Sequence, residues 1–321
     1  MQFLKKLWGK KSARAGIVAI SLMPRGIAIA IANTTKNKDL RLIHSEFIAT
    51  VQAEEQQAIL TKLVIEHNLF DYACHLVLAP EDYRRINIEA PVVTVDEMTD
   101  AVRWKINDLI DFPIDNAIID YYAAPESLRA SGTKMLEVIV SRDDLIKAYA
   151  KICTNAGLDL RVIDIQETSL RNLALLLPEN NSGVGVLHLL EASGTLLIQK
   201  EGQIYLSRKF ELGYRKLNLD DNFELSEQTL IEQSNLVLEI QRSLDYVESY
   251  YGIAPISILA IIPLAENTLD LLSMLNNHHG MTARVMDLST LVECDSVMDD
   301  MLQSLCTPVI GATLRYVAEA L

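Results

Sequence analysis

The sequence predicts an α/β chain of two similar lobes, with a smaller unit set into the first. Three observations predict it. Val184–Lys209 reads as strand, turn, strand, turn, strand, its apolar runs separated by Glu191-Ala192-Ser193-Gly194 and Lys200-Glu201-Gly202. A second hairpin, residues 16–33 with Pro24-Arg25-Gly26 at its turn, stands about 170 residues earlier, so the fold reads as duplicated with a site between its halves. The 321 residues, half of them hydrophobic, are enough for two separate cores.

The elements follow in order. After the first hairpin, Leu40–Phe47 reads as a strand and Glu54–Asn68 as a helix with Ile59, Leu60, Leu63 and Val64 on one face. His75–Ala79 is a buried strand ending at Pro80, which completes a βββαβ opening of a mixed-sheet lobe. Residues 81–158 then spell a complete β-α-β-β-α unit. Its strands are Tyr83–Ile88, Ile118–Ala123 and Leu136–Val140. Its first helix is opened by a Thr94–Glu97 capping box, carries Met98, Ala101, Val102, Ile106, Leu109 and Ile110, and ends at Pro113. Ser141–Asp144 caps its second helix, with Gly157 as the residue beyond its end.

The chain returns through a strand, Leu160–Ile165, and a helix, Thr168–Leu177, closed by Pro178. Asn180–Gly183 links to the second lobe. There a helix over 226–251 places Leu230, Val237, Ile240, Leu244, Val247 and Tyr251 at helical spacing. Strands at Ile256–Ile262 and Ala283–Met286 flank a helix at Glu266–His278, and Val309–Ala320 is the closing helix.

A formal net charge of −14 argues against general nucleic-acid binding, because polyanions are repelled. The four cysteines are scattered with no CxxC pair and read as inert thiols of a reduced, cytosolic protein. No apolar run reaches the roughly 20 residues that cross a bilayer, and no signal-peptide core precedes Lys10 and Lys11. Residues 1–14 place Phe3, Leu4 and Leu7 on one helical face, with Trp8, among Lys5, Lys6, Lys10, Lys11 and Arg14. That pattern fits a short membrane-surface segment or a solvated tail.

Four segments carry a family resemblance. TVDEMTDAVRWKINDLIDFPIDNAIIDYY (94–122), AGLDLRVIDIQETSLRNLA (156–174), LEIQRSLDYVESYYG (238–252) and GATLRY (311–316) are similar, in this order, to segments of the PilM-type pilus assembly proteins, among them the branch serving MSHA-type type IV pili. The resemblance implies an actin-like ATPase fold, an RNase H-like fold duplicated into two lobes, with an inserted small domain of the FtsA/PilM type. It divides the chain into a tail (1–14), a first lobe (15–80, 159–181 and 308–321), the insert (81–158), a second-lobe core (182–217 and 255–307) and a helical subdomain (218–254). It implies a cytoplasmic adaptor at the inner membrane that clasps the cytoplasmic N-terminal segment of a PilN-like single-span protein and links it to the pilus motor ATPase or platform protein.

The resemblance also supplies a site to test. In actin-like ATPases two hairpins grip phosphates through glycine amides and small hydroxyls, and acidic groups hold Mg²⁺. The family's first hairpin reads close to G-I-D-I-G-S, whereas residues 16–21 are Gly-Ile-Val-Ala-Ile-Ser, leaving Ser21 as the remaining phosphate contact. Its second reads close to D-I-G-A-x-x-T. Residues 188–195, His-Leu-Leu-Glu-Ala-Ser-Gly-Thr, keep Ser193, Gly194 and Thr195 but not the aspartate–glycine pair. Where a G-G adenosine turn is expected stands Ile261-Ile262-Pro263-Leu264-Ala265, and proline there removes a donor and fixes φ. The expectation is therefore a vestigial cleft, with no catalysis and no cofactor beyond weak ATP/Mg²⁺ binding. Glu191 is grouped with Ser21, Ser193, Gly194 and Thr195 as a vestigial nucleotide-site residue that could replace the lost carboxylate, against the competing reading of a solvated turn glutamate. A nucleotide-switched ATPase is the alternative function, and filament formation a third.

For the partner peptide the expected groove is the seam of first lobe and insert, at Pro80, Tyr83, Arg84, Arg85 and Trp104, where strand addition would supply main-chain hydrogen bonds. Tyr83 and Trp104 as ordinary core is the competing reading. His278-His279 reads as a helix-end pair and not a metal site, His188 as a satisfied core histidine, and Ser193-Gly194 lacks the G-x-S-x-G frame of a hydrolase.

Overall fold

The computed structural model describes residues 16–34, 40–50, 52–128, 132–219, 226–265, 267–278, 280–295 and 297–315. The tail expected to lie near a membrane, with Phe3, Lys5, Lys6, Leu7 and Trp8, falls outside these residues. In chain order the elements begin β1 (Gly16–Met23), β2 (Gly26–Thr34), β3 (Leu40–Ala49), α1 (Ala53–Glu66) and β4 (Ala73–Leu78). The insert supplies β5 (Tyr83–Glu89), α2 (Met98–Ile106), β6 (Ala117–Ala123), β7 (Met135–Arg142) and α3 (Asp143–Asn155). Then come β8 (Asp159–Ile165), α4 (Gln166–Ala174), β9 (Val184–Leu189), β10 (Gly194–Lys200), β11 (Gln203–Phe210), α5 (Tyr214–Leu217) and α6 (Glu227–Tyr251). The chain continues with β12 (Ile258–Ile261), α7 (Thr268–Asn276), β13 (Thr282–Val285), α8 (Leu288–Leu291), β14 (Glu293–Cys294) and α9 (Asp300–Thr313).

The duplication is explicit in the sheets. One is ordered β14-β3-β2-β1-β4-β8 and the other β11-β10-β9-β12-β13; each is an antiparallel meander continued by two parallel strands, and the first adds β14 parallel to β3 at its opposite edge. The insert is a separate sheet, β5-β7-β6. Alternation in the first hairpin explains the layering. Val18, Ile20, Leu22, Ile27, Ile29 and Ile31 pack under α1 and α3 on the outer face. Ala19, Ala28 and Ala30 face inward, where small side chains let α4 and α9 come close. Those two helices fill the layer between the large sheets, together with Val184, Val186, Leu197 and Ala260 of the second. Gly311 marks the tightest approach, since a Cβ there would lie 2.2 Å from the Ser169 carbonyl.

Several boundaries differ from expectation, each for a local reason. The closing helix starts at Asp300, capped by Asp299 accepting from the Leu302 N–H, and runs through Pro308. A proline ordinarily ends such a segment because it strips a hydrogen bond from the carbonyl four residues back. Here that carbonyl, on Ser304, accepts from His188 Nε2 at 2.8 Å. The return to the first lobe, expected at 308, begins with β14 pairing to β3. The Thr94–Glu97 box forms only in part: Glu97 accepts from the Thr94 N–H and hydroxyl, and the helix starts at Met98. Ser141 does not cap α3; it lies in β7 and donates to the Asp82 carbonyl at 2.6 Å. Leu109 and Leu230, expected on buried faces, are exposed.

Candidate functional site

The two hairpin turns of the duplicated fold face each other, and charge joins them. Arg25, in the β1–β2 turn, pairs with Glu191 in the β9–β10 turn, and Arg215 at the start of α5 pairs with the same carboxylate. Glu191 is therefore not a solvated turn residue; its side chain is 16% exposed. Ser21 is buried and donates to the Val77 carbonyl at 2.9 Å, so its proton is committed within the sheet. Ser193, Gly194 and Thr195 line a pocket of about 250 Å³ with Pro80, His188 and Lys209. Where the resemblance led to the expectation of an adenosine turn, Ile262 and Leu264 are buried, and the Leu264 N–H donates to Thr268 Oγ1 at 2.9 Å.

His188 lies at the base of that pocket. The Ser304 carbonyl only accepts, so Nε2 carries the proton, and Nδ1 accepts from Gln166 Nε2 at 3.0 Å. Burial pushes its pKa down to about 4, against the pull of the Ser304 carbonyl. It is a neutral, fully partnered imidazole tying β9 to α4 and α9.

A second pocket, of about 400 Å³, opens beside the first where three parts of the chain converge: Arg84, Arg85 and Leu109 from the insert, Glu167 from α4, and Ser207 and Lys209 from β11. Glu167 is its buried centre, 1% exposed. It accepts from the Tyr83 hydroxyl and from Ser207 Oγ at 3.4 Å, and pairs with Arg85 at 3.6 Å. Burial, reinforced by Glu167, pushes the Tyr83 phenol well above its ordinary range. Lys209 sits 5.0 Å over the Tyr83 ring and donates to the Pro80 carbonyl; burial lowers its pKa. Arg84 pairs with Asp111 at 2.6 Å, and Arg85 with Glu137 at 3.0 Å.

Thus the structure gathers Pro80, Tyr83, Arg84 and Arg85 at these adjoining pockets, but at a seam facing β11 of the second lobe as well as the first. Trp104 is not brought to either pocket; it is 81% exposed on α2 and so is not ordinary core. Sequence reasoning missed Arg25, Arg215, Gln166, Glu167 and Lys209. The one available signal was opposite charge on the turns of two matching hairpins. Among the described residues no cluster of three or more His, Cys, Asp or Glu side chains could hold a metal ion. No described helix is long and apolar enough to cross a membrane.

Comparison with solved structures places this architecture. A chain of the PilM-PilN type IV pilus biogenesis complex superposes with a TM-score of 0.71 at 17% identity, over 95% of this chain and 99% of that one. A protein of unknown function with an actin-like ATPase fold from Bacteroides thetaiotaomicron matches with a TM-score of 0.51 at 13% identity, over 96% and 99% of the two chains. The fold is actin-like. No protein-family model matches the chain, and no curated protein does.

Proposed function

We propose that this chain is a non-catalytic, PilM-like adaptor of type IV pilus biogenesis, of the MSHA-type branch and most similar there to MshI. In this reading it sits at the cytoplasmic face of the inner membrane and binds the N-terminal segment of a PilN-like membrane protein. The observation that carries the reading is near-complete superposition on a chain from a PilM-PilN complex, joined to a nucleotide cleft whose turns are bridged by the chain's own charges. The remaining pocket of about 250 Å³ lies below the roughly 300–1,000 Å³ of ordinary small-molecule sites. The phosphate and adenosine positions hold Ser21 and Leu264, both engaged in internal hydrogen bonds. The fold then serves as a scaffold, and nucleotide turnover plays no part in its work.

The partner segment is assigned to the pocket edged by β5, which pairs with β7 on one side only. An extended peptide there gains main-chain hydrogen bonds, with Ile86 and Leu109 contributing apolar contact. Fluorescence anisotropy with a labelled peptide of the partner's cytoplasmic N-terminus tests this. Arg84→Glu, at an exposed side chain, and Arg84→Glu with Arg85→Glu are expected to weaken binding at least tenfold. Unchanged affinity in both variants would remove the partner from this pocket.

A further inference from the structure

The ion pair between the hairpin turns crosses the cleft from two anchored ends. On the first-lobe side the Arg25 carbonyl accepts from the Thr50 N–H at 3.0 Å, and the Met23 carbonyl from Gln56 Nε2 at 2.9 Å. On the second-lobe side a Cβ on Gly213 would lie 2.3 Å from the Glu191 carbonyl, so the loop rests on bare backbone there. That same carbonyl accepts from the Arg215 N–H at 3.3 Å. Both ends of the bridge are thereby held by their own lobes. Between them, two guanidiniums that are 65% and 76% exposed converge on a carboxylate that is 16% exposed. An arrangement of two solvent-facing arginines around one sheltered anion is how proteins hold a bound oxyanion. Here the anion belongs to the chain.

We propose that Glu191 is an internal counter-ion, standing where a ligand's anionic group would sit, and that it holds the two lobes closed without any ligand. Closure is then a built-in property of the chain, sensitive to ionic strength because both arginines meet solvent. It also hides a latent oxyanion site: with the carboxylate neutralised, Arg25 and Arg215 are left facing the cleft without their anion. The inference concerns the cleft alone and stands whether or not a pilus partner binds elsewhere.

Hydrogen exchange on the full chain tests it, read at the amides of Met23, Arg25 and Gly26 and of residues 190–194. Arg25→Ala is read in the second-lobe turn and Glu191→Gln in the first-lobe turn, so neither readout is local to its substitution. Each variant is expected to speed exchange in the opposite turn about fivefold, the factor given by loss of one modest ion pair. The double variant is expected to add nothing further, since both single changes break the same link. High salt should reproduce the effect in the natural chain. Inorganic pyrophosphate should slow exchange of both turns in Glu191→Gln and leave the natural chain unchanged. Loosening confined to the substituted turn, or additive effects in the double variant, would overturn the latch. Indifference of Glu191→Gln to pyrophosphate would overturn the counter-ion role. Should Glu191→Gln fail to fold, Arg25→Ala, at a mostly exposed side chain, still carries the cross-cleft test.

Discussion

Lowering the pH from 7 to 4 is expected to cost the folded chain about 3 kcal/mol through His188 alone. In the unfolded chain this imidazole takes up a proton near its ordinary value of 6.5; in the fold, burial holds it down to about 4. Between those values the unfolded state binds more protons, so stability is fully present above pH 6.5 and falls as the pH drops. The structure supplies the reason. Nε2 already donates to the Ser304 carbonyl, and a second proton on Nδ1 would meet the Gln166 amide that donates to it. Urea unfolding between pH 7 and 4, on the natural chain and on His188→Gln, isolates this group from the acidic residues common to both. The variant keeps a donor and an acceptor but has no proton to gain, so its stability should fall less steeply by about that amount. Parallel curves for the two proteins would refute the reasoning.

Three further outcomes are expected. Tyr83→Phe removes the hydroxyl that donates to the buried Glu167 carboxylate and should cost about 1–3 kcal/mol in denaturant unfolding, with Arg85 and Ser207 still in place. Arg315→Ala strips the pair from Asp164, which is 4% exposed, and should cost about 3 kcal/mol; adding Asp164→Asn should restore part of it by removing the stranded charge. Trp104→Ala, at an exposed position outside both pockets, should change stability by less than about 0.5 kcal/mol and leave peptide affinity as it was, by unfolding and by anisotropy respectively.

The sheets were legible because their signals are local. The Ile/Ala alternation of the first hairpin and the turn residues of the second fix strand, face and register within a few residues. The insert was legible for the same reason, its β-α-β-β-α order matching the sheet β5-β7-β6. What escaped depends on contacts remote in sequence. The closing helix reads as starting only at Val309, whereas it starts at Asp300 and runs through Pro308, because His188, 116 residues away from Ser304, takes up the carbonyl that the proline frees. Glu191 reads as a solvated turn until Arg25, 166 residues earlier, is placed opposite it. Glu167 sits unremarked in the first turn of α4, and only the fold shows insert and second lobe closing over it. Resemblance pointed to the cleft and the seam as places to look, but not to the side chains that the fold brings together there.

Calorimetric titration of the full chain with Mg²⁺-ATP, with and without the partner's N-terminal peptide, tests the central claim most directly. The account predicts no heat from ATP up to millimolar concentration and clear peptide binding that ATP does not alter. Micromolar ATP binding that changes peptide affinity would contradict it, and would make the chain a nucleotide-switched member of the same machinery.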